Sequence, residues 1–369
     1  LSVRFSTFGP ASEARNTTHF VRRPKDRGTN RCHKVRYQIL SPTNNLTKAK
    51  NKNLRKWLFR LLSVAVLAAF AWQFRRLSAQ LNWAAFGTAL TQPGQWKFLA
   101  LVLVMMPVNW WLEARKWHIL LSAFLPWSFS RTWRATLAGV SLSAATPNRI
   151  GEIGGRLLVA DRPEWPGVIT SSFLGSVCQW VAFLLLAWPG LMWTADGLLR
   201  DRLPFPVAWL WPVGPLLLII GWWGGMPLLL KALKWLESRF KIKTEELSKG
   251  LKEVKIGLMA KAGVHACLRF SVYCTQLYLL LWFFGLELPL FKGLAGIAGI
   301  YLVQASIPMP PGVNLITRTE LGLLLWNNSP ETAVATLAAF TSLFAVNVLL
   351  PALPGYFLVV KRYRKNEAL

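Results

Sequence analysis

The chain has 369 residues, 53% of them hydrophobic and only 16% charged, with a mean hydropathy of +0.34 and a formal net charge of +27. Soluble domains carry about 25% charged residues, so this balance excludes an ordinary soluble globular protein. The positive charge is no nucleic-acid footprint either, because the basic residues fall in the tails and in loops between apolar runs, the pattern of cytoplasmic segments of a polytopic membrane protein. The 20 Trp fit interfacial belts, where an apolar ring with one N–H is best placed. Cys32, Cys178, Cys267 and Cys274 have neither metal-ligand nor disulfide-framework spacing. Cys267 and Cys274 lie about 10 Å apart along one helix and read, like the others, as ordinary thiols. No metal or cofactor is implied.

Residues 1–56 are rich in Lys, Arg, Pro, Asn, Ser and Thr, lack an apolar run and read as a disordered basic tail. The expected readings of this stretch are an upstream extension of the coding frame or a tail lying on anionic lipid, with a transit peptide less favoured because no amphipathic helix is visible. The membrane domain is expected over 57–362, with a short C-terminal tail at 363–369. Trp57 to Phe74 is the first span, and Arg75 to Lys97 a Trp-dotted connection with an interfacial helix around Leu81–Leu90. Phe98 to Leu121 is the second span. Its far half carries Asn109, Glu113 and Lys116 at i, i+4 and i+7, with Glu113 and Lys116 spaced to pair; this stripe either faces the bundle or emerges into the cytoplasm.

Ala135 to Ala145 is a short apolar run that ends in TPNRIGEIGGR, Thr146 to Arg156. If a helix starts after Pro147, Arg149, Glu152 and Arg156 fall at i, i+3 and i+7 on one face. Asn148 then sits near the free N–H groups of the first turn, and Gly151, Gly154 and Gly155 let another backbone come close. The alternative is a cytoplasmic loop with a surface salt bridge. Ile150 to Ala160 is likewise too short for the ~20 residues a span needs.

Gly167 to Trp193 and Phe205 to Leu230 are full spans. The basic loop 231–261 follows, nine Lys or Arg against four acids, and reads as a cytoplasmic amphipathic helix. Ala262 to Phe284 spans again with His265, Arg269 and Gln276 on one face; Arg269 is close enough to the interface to snorkel. Gly293 to Ile307 is a short apolar run stopping in PMPPG, Pro308 to Gly312. Val313 to Trp326 follows with Arg318 and Glu320 in its early turns, and Thr332 to Val360 is the last span.

Loop charge sets the parity. Both 115–134 and 231–261 lie inside, so the segment from Arg134 to Asp161 starts and ends on the cytoplasmic side without room for two spans. By the same count Gly293 to Trp326 starts and ends outside. The expectation is an all-α polytopic membrane protein with about six full spans plus two re-entrant half-helix hairpins in an inverted repeat, one entering from each face. Both termini are expected in the cytoplasm, in a bacterial-type inner membrane.

At three places the chain resembles the flippase-like, lysylphosphatidylglycerol-synthase transmembrane-region family. They are the run from Asn109 to Trp117, the TPNRIGEIGGR stretch and the proline break from Ile307 to Gly312 with Arg318 and Glu320. The third departs from the family's usual PGG followed by adjacent Arg-Glu, having PPGV and Arg-Thr-Glu. The resemblance implies a lipid-handling membrane domain standing alone, without the transferase domain to which some relatives are fused. The expected activity is transport rather than catalysis: movement of a phospholipid or polyprenyl-phosphate-linked lipid between leaflets. Arg149 and Arg156 would hold the phosphate, with Asn148, Pro147 and Gly151 shaping the turn and Glu152 orienting Arg149, accepting a head-group amine or binding a proton. Arg318, Glu320 and Gly312 would act from the other face, and Glu113, Lys116 and Asn109 would complete the cytoplasmic side. The partners are membrane lipids with anionic or phosphate-bearing head groups. The alternatives are an intramembrane transferase and a subunit docking a separate soluble transferase through 231–261.

Overall fold

In lipid every backbone polar group must be satisfied within its own segment, which leaves helices as the only way to thread these apolar runs through a bilayer. The computed structural model describes residues 83–92, 94–145, 150–200, 204–221, 254–307, 311–326 and 329–367, with 75, 231 and 251 as isolated positions. Every regular element among them is helical. The basic tail, the first span at 57–74, the second half of the Phe205 span and most of the 231–261 loop lie outside the described residues. So do Thr146 to Arg149, Pro308 to Pro310 and Asn328.

The helices are α1 (Trp83–Thr91), α2 (Trp96–Leu121), α3 (Phe129–Ala145), α4 (Ile150–Val159), α5 (Arg162–Leu199), α6 (213–221), α7 (Ile256–Phe283), α8 (Leu290–Ser306) and α9 (Pro311–Trp326). The last, α10, is built of Pro330–Phe344, a π turn at Ala345–Leu349 and Leu350–Glu367. Among the described residues four helices are long and apolar enough to cross a membrane: α2, α5, α7 and α10 over Thr332–Leu358. This is an integral membrane protein.

Several helices are longer than the apolar runs that announce them. α5 has 38 residues, about 57 Å, well beyond the roughly 30 Å hydrocarbon core. Its start is set by Asp161, whose backbone N–H donates to Glu164 Oε2 at 2.8 Å, and by prolines in the first turns, where a missing N–H costs nothing. α7 begins at Ile256, six residues ahead of the apolar run, and ends in a Schellman motif. There Gly285 adopts φ +82°, its N–H donates to Trp282 O at 3.0 Å, and the Leu286 N–H donates to Leu281 O at 2.9 Å. α10 starts at Pro330, with Ser329 Oγ accepting from the Thr332 N–H at 3.2 Å.

A long helix, a short-helix hairpin and a helix with a π turn occur in that order twice: α2, α3–α4, α5, and then α7, α8–α9, α10. The π turns have a common cause. Pro189 stands two residues after Phe183–Ala187 and Pro351 two after Ala345–Leu349, each removing an N–H from the ladder and crowding the carbonyl four residues back.

The first hairpin is closed at both levels. At its mouth Arg131, near the start of α3, grips Glu164 bidentately at 2.9 and 2.7 Å and reaches Asp161 at 3.4 Å. The Trp127 indole donates to the same Glu164 at 2.8 Å. The two ends of the α3–α4 hairpin therefore meet at one end of the bundle. Within it the backbones touch: a Cβ on Gly155 would overlap the Ala138 carbonyl and Gly139 Cα, and one on Gly355 of α10 would overlap the Leu137 carbonyl. Small residues make these contacts because between helices in lipid, van der Waals approach and interhelical hydrogen bonds replace the hydrophobic effect. Trp117 Nε1 to Ser171 Oγ (2.9 Å) and Ser141 Oγ to Ala352 O (2.7 Å) are two such bonds.

Candidate functional site

Glu113 of α2 lies at the centre of a buried ion cluster. Lys116 Nζ, one turn on, is 2.6 Å from its Oε2. Arg269 Nη1 comes across from α7 to the same oxygen at 3.1 Å, and Arg156 Nη2 from α4 to Oε1 at 3.1 Å. Arg156 also pairs with Glu152 one turn back and donates to Ser172 Oγ at 2.9 Å, while Arg269 reaches Gln179 Oε1 at 3.4 Å. Arg156 lies over the Trp117 ring at 4.2 Å and Arg269 over Trp110 at 5.3 Å, the stacking that a weakly hydrated guanidinium favours. Glu113 is 3% exposed, and Lys116 and Arg156 2% each, so the centre of the group is shielded from solvent, with Glu152 and Arg269 half-buried at its margin.

Among the described residues the cluster is not neutral. Three cations (Lys116, Arg156, Arg269) face two carboxylates (Glu113, Glu152), and both Arg156 Nε and Arg269 Nε are buried with no acceptor among the described residues. Each charge at mid-membrane costs roughly 2.5–3.5 kcal/mol unless paired, which explains why Glu113 is shared three ways. The net positive unit and the two spare donors are what pairing within the described residues leaves over. An anion is their chemical complement, since phosphate and carboxylate oxygens accept charge-assisted bonds from guanidinium.

Of the residues singled out in the sequence, Glu113, Lys116, Glu152 and Arg156 are brought together here. Arg149, Asn148 and Pro147 lie outside the described residues. Gly151 is buried in the first turn of α4, and Glu152 has Arg156 as its ion partner. Asn109 does not join the cluster. Its Nδ2 donates to Asn347 Oδ1 at 2.8 Å, Asn347 Nδ2 donates to Gln276 Oε1 at 3.1 Å, and Gln276 Nε2 donates to Val102 O at 2.9 Å. This buried amide chain ties α2, α7 and α10 together. Asn347 sits in the π turn of α10, and Pro351 has no N–H to offer its carbonyl; Trp110 Nε1 supplies the donor at 2.9 Å. Trp110 thus joins the amide chain to the cation it carries on its face.

Arg269 is the main residue that sequence reading leaves out, since its distance from Lys261 suggests an interfacial cation. Its face does carry a signal in Gln276, which is fully buried, but His265 on that face bonds back to Lys261 O at 2.8 Å. Ser172 and Gln179 give no pattern of their own.

In the second hairpin, Arg318 of α9 is half-buried over the Tyr301 ring at 5.1 Å and donates through Nε to Gln304 Oε1. Glu320 is exposed. Two positions apart on a helix the side chains point about 200° from one another, so the structure does not bring this Arg and Glu together. Gly312 lies in the first turn of α9.

The model of the family described as lysylphosphatidylglycerol synthase TM region matches residues 58–355. Neither a curated protein nor a solved structure matches the chain. The family match takes in the Glu113 cluster and both hairpins, and on its extent this integral membrane protein belongs to the lysylphosphatidylglycerol synthase TM region family.

Proposed function

We propose that the protein is a flippase-type lipid transporter in which the Glu113 cluster binds the phosphate of a phospholipid or polyprenyl-phosphate-linked head group. The observation that carries this reading is the charge imbalance: three cations on two carboxylates inside the bundle, with two guanidinium Nε donors unused among the described residues. A structural ion group gains nothing from an excess cation, whereas a phosphate site needs one. The family name, which describes the membrane region of a lipid synthase, points to the same class of molecule.

Transport also needs access from both sides. The twofold run of long helix, hairpin and π-turned helix fits an inverted repeat, with α3–α4 re-entering from the cytoplasm and α8–α9 from outside. The meeting of Arg131 with Glu164 supports a hairpin whose two ends lie on one face. In this reading the chain itself catalyses no covalent step, and both termini lie in the cytoplasm.

The test is fluorescent-phospholipid translocation in proteoliposomes for wild type, Arg156→Met, Glu152→Gln and the double Glu152→Met with Arg156→Met. Transport should be lost in all three variants, including the double, in which the removed charges cancel. Wild-type rates in a stably folded double variant would overturn the assignment and leave the cluster as a structural bridge.

A further inference from the structure

We infer that Arg318 is a second anion-binding station, separate from the Glu113 cluster, that holds a phosphate oxyanion through its two terminal amino groups. The inference rests on the proposed lipid-phosphate reading for its direction, but its argument starts from Arg318 itself. Of the five N–H donors of this guanidinium, the one on Nε goes to Gln304 Oε1. No carboxylate and no other acceptor among the described residues takes an N–H from Nη1 or Nη2. The nearest acid in sequence, Glu320, points the other way and is exposed.

The setting is that of the bundle interior rather than a helix end. Tyr301, the ring beneath Arg318, is 4% exposed, and its ring neighbours are Phe270 and Tyr273 on α7 and Phe340 on α10. Gln304, which fixes the plane of the guanidinium, is itself buried. A fork held on one side by an amide oxygen and from below by an aromatic face presents its remaining edge in a defined direction, the geometry that bidentate phosphate recognition uses.

The repeat sharpens the contrast. Arg156 and Arg318 both lie about two turns into the second helix of their hairpins, each over an aromatic ring, Trp117 in one case and Tyr301 in the other. Arg156 is met by Glu113 and Glu152, and Arg318, among the described residues, by neither a Glu nor an Asp. The two stations also hang on one helix: Arg269 and Tyr273 of α7 are a single turn apart, the first in the Glu113 cluster and the second against the ring that carries Arg318. An anionic head group leaving the cluster along this face of α7 passes Tyr273, which packs against the ring that carries Arg318 of α9.

The test is calorimetric titration of the full-length protein in detergent with short-chain phosphatidylglycerol below its micellar concentration, repeated with inorganic phosphate as competitor. Wild type should take two equivalents. Arg318→Met should weaken one of them by about tenfold or more, as loss of a charge-assisted pair of bonds implies, and leave the other unchanged. Arg269→Met should spare the equivalent that Arg318→Met removes. Competition by inorganic phosphate at the Arg318 equivalent identifies the head-group phosphate as the ligand; phosphate binding there without lipid binding identifies a free anion instead. Two unaltered equivalents in Arg318→Met overturn the inference. If that variant does not fold, Arg318→Lys decides: a severalfold loss confined to one equivalent supports the station, and unchanged affinities overturn it. A single wild-type equivalent lost in Arg269→Met but not in Arg318→Met removes the second station and leaves the proposed function standing. Lipid binding unaffected by either variant removes both.

Discussion

Glu113 and Arg156 stand 43 positions apart in the chain, on α2 and α4, and their side chains meet at 3.1 Å almost fully buried. That meeting fixes the first hairpin against the central pair of helices, because Glu113 simultaneously holds Arg269 of α7. One carboxylate thereby registers three elements of the bundle.

Stability should depend unequally on the two carboxylates. Glu113→Gln leaves Arg156 with Glu152 and strips Lys116 and Arg269 of their carboxylate partner among the described residues, and breaking a buried ion group by removing one partner costs about 3–5 kcal/mol. Glu152 meets one cation, and its side chain is 17% exposed, so water can take part of its place. Thermal melting in detergent should rank Glu113→Gln well below Glu152→Gln; equal midpoints would show that Glu113 does not organise the cluster.

The adjacent glycines Gly154 and Gly155 of α4 should not be equivalent. A Cβ on Gly155 meets the Ala138 carbonyl, which is backbone and cannot move aside, whereas on Gly154 it meets only the Leu142 Cδ2 methyl at 3.3 Å. Gly155→Ala is expected to destabilise by about 1–3 kcal/mol through overpacking, and Gly154→Ala by less. Tryptophan-fluorescence melts of the two variants check the order.

How much of this is legible in the sequence depends on whether the signal is local. The Glu113–Lys116 pair and the Glu152–Arg156 face follow from helical spacing alone, and both are present. The proline breaks mark where α4 and α9 begin, though α9 starts at Pro311 itself, as a residue suited to the first helical position. What spacing cannot show is which face of α7 turns toward α2. Arg269 therefore reads as a snorkelling cation, and Asn109 as a companion of Glu113, until packing assigns the first to the cluster and the second to the amide chain. The overlong α5 and α10 escape for a related reason: hydropathy ends where the apolar run ends, while the backbone continues until something stops it.

Asn347 makes a stability prediction of another kind. Asn347→Leu leaves the Asn109 amide and the Gln276 oxygen buried without their shared partner, at about 1–3 kcal/mol for each unsatisfied group. The Trp110 bond survives, because it goes to the main-chain carbonyl of residue 347. A melting midpoint lowered by the substitution, with the Trp110 contribution to fluorescence unchanged, is the expected result. An unshifted midpoint would mean that the amide chain carries no net stability.

The remaining prediction concerns which side of the membrane each hairpin opens on. Arg131 binds Glu164 and Asp161, so the two ends of α3–α4 share a face whatever the orientation of the bundle. With basic residues flanking that mouth, it is expected to lie on the cytoplasmic side. The α8–α9 hairpin starts after the exposed Glu287 and ends before Asn328, in a stretch short of basic residues, and is expected to open outside. In a background lacking Cys32, Cys178, Cys267 and Cys274, single cysteines at Ser128 and Asp161 should react with a membrane-impermeant maleimide only from the cytoplasmic side. Cysteines at Glu287 and Asn328 should react only from the opposite side. Asp161 is a sound reporter because its side chain is 70% exposed, and Ser128 is exposed beside it. If the cysteine at Asn328 labels from the cytoplasm while that at Glu287 labels from outside, α8–α9 crosses the membrane instead of re-entering it. The second half is then not an inverted copy of the first, and Arg318 faces a different side of the barrier from the one the transport path requires.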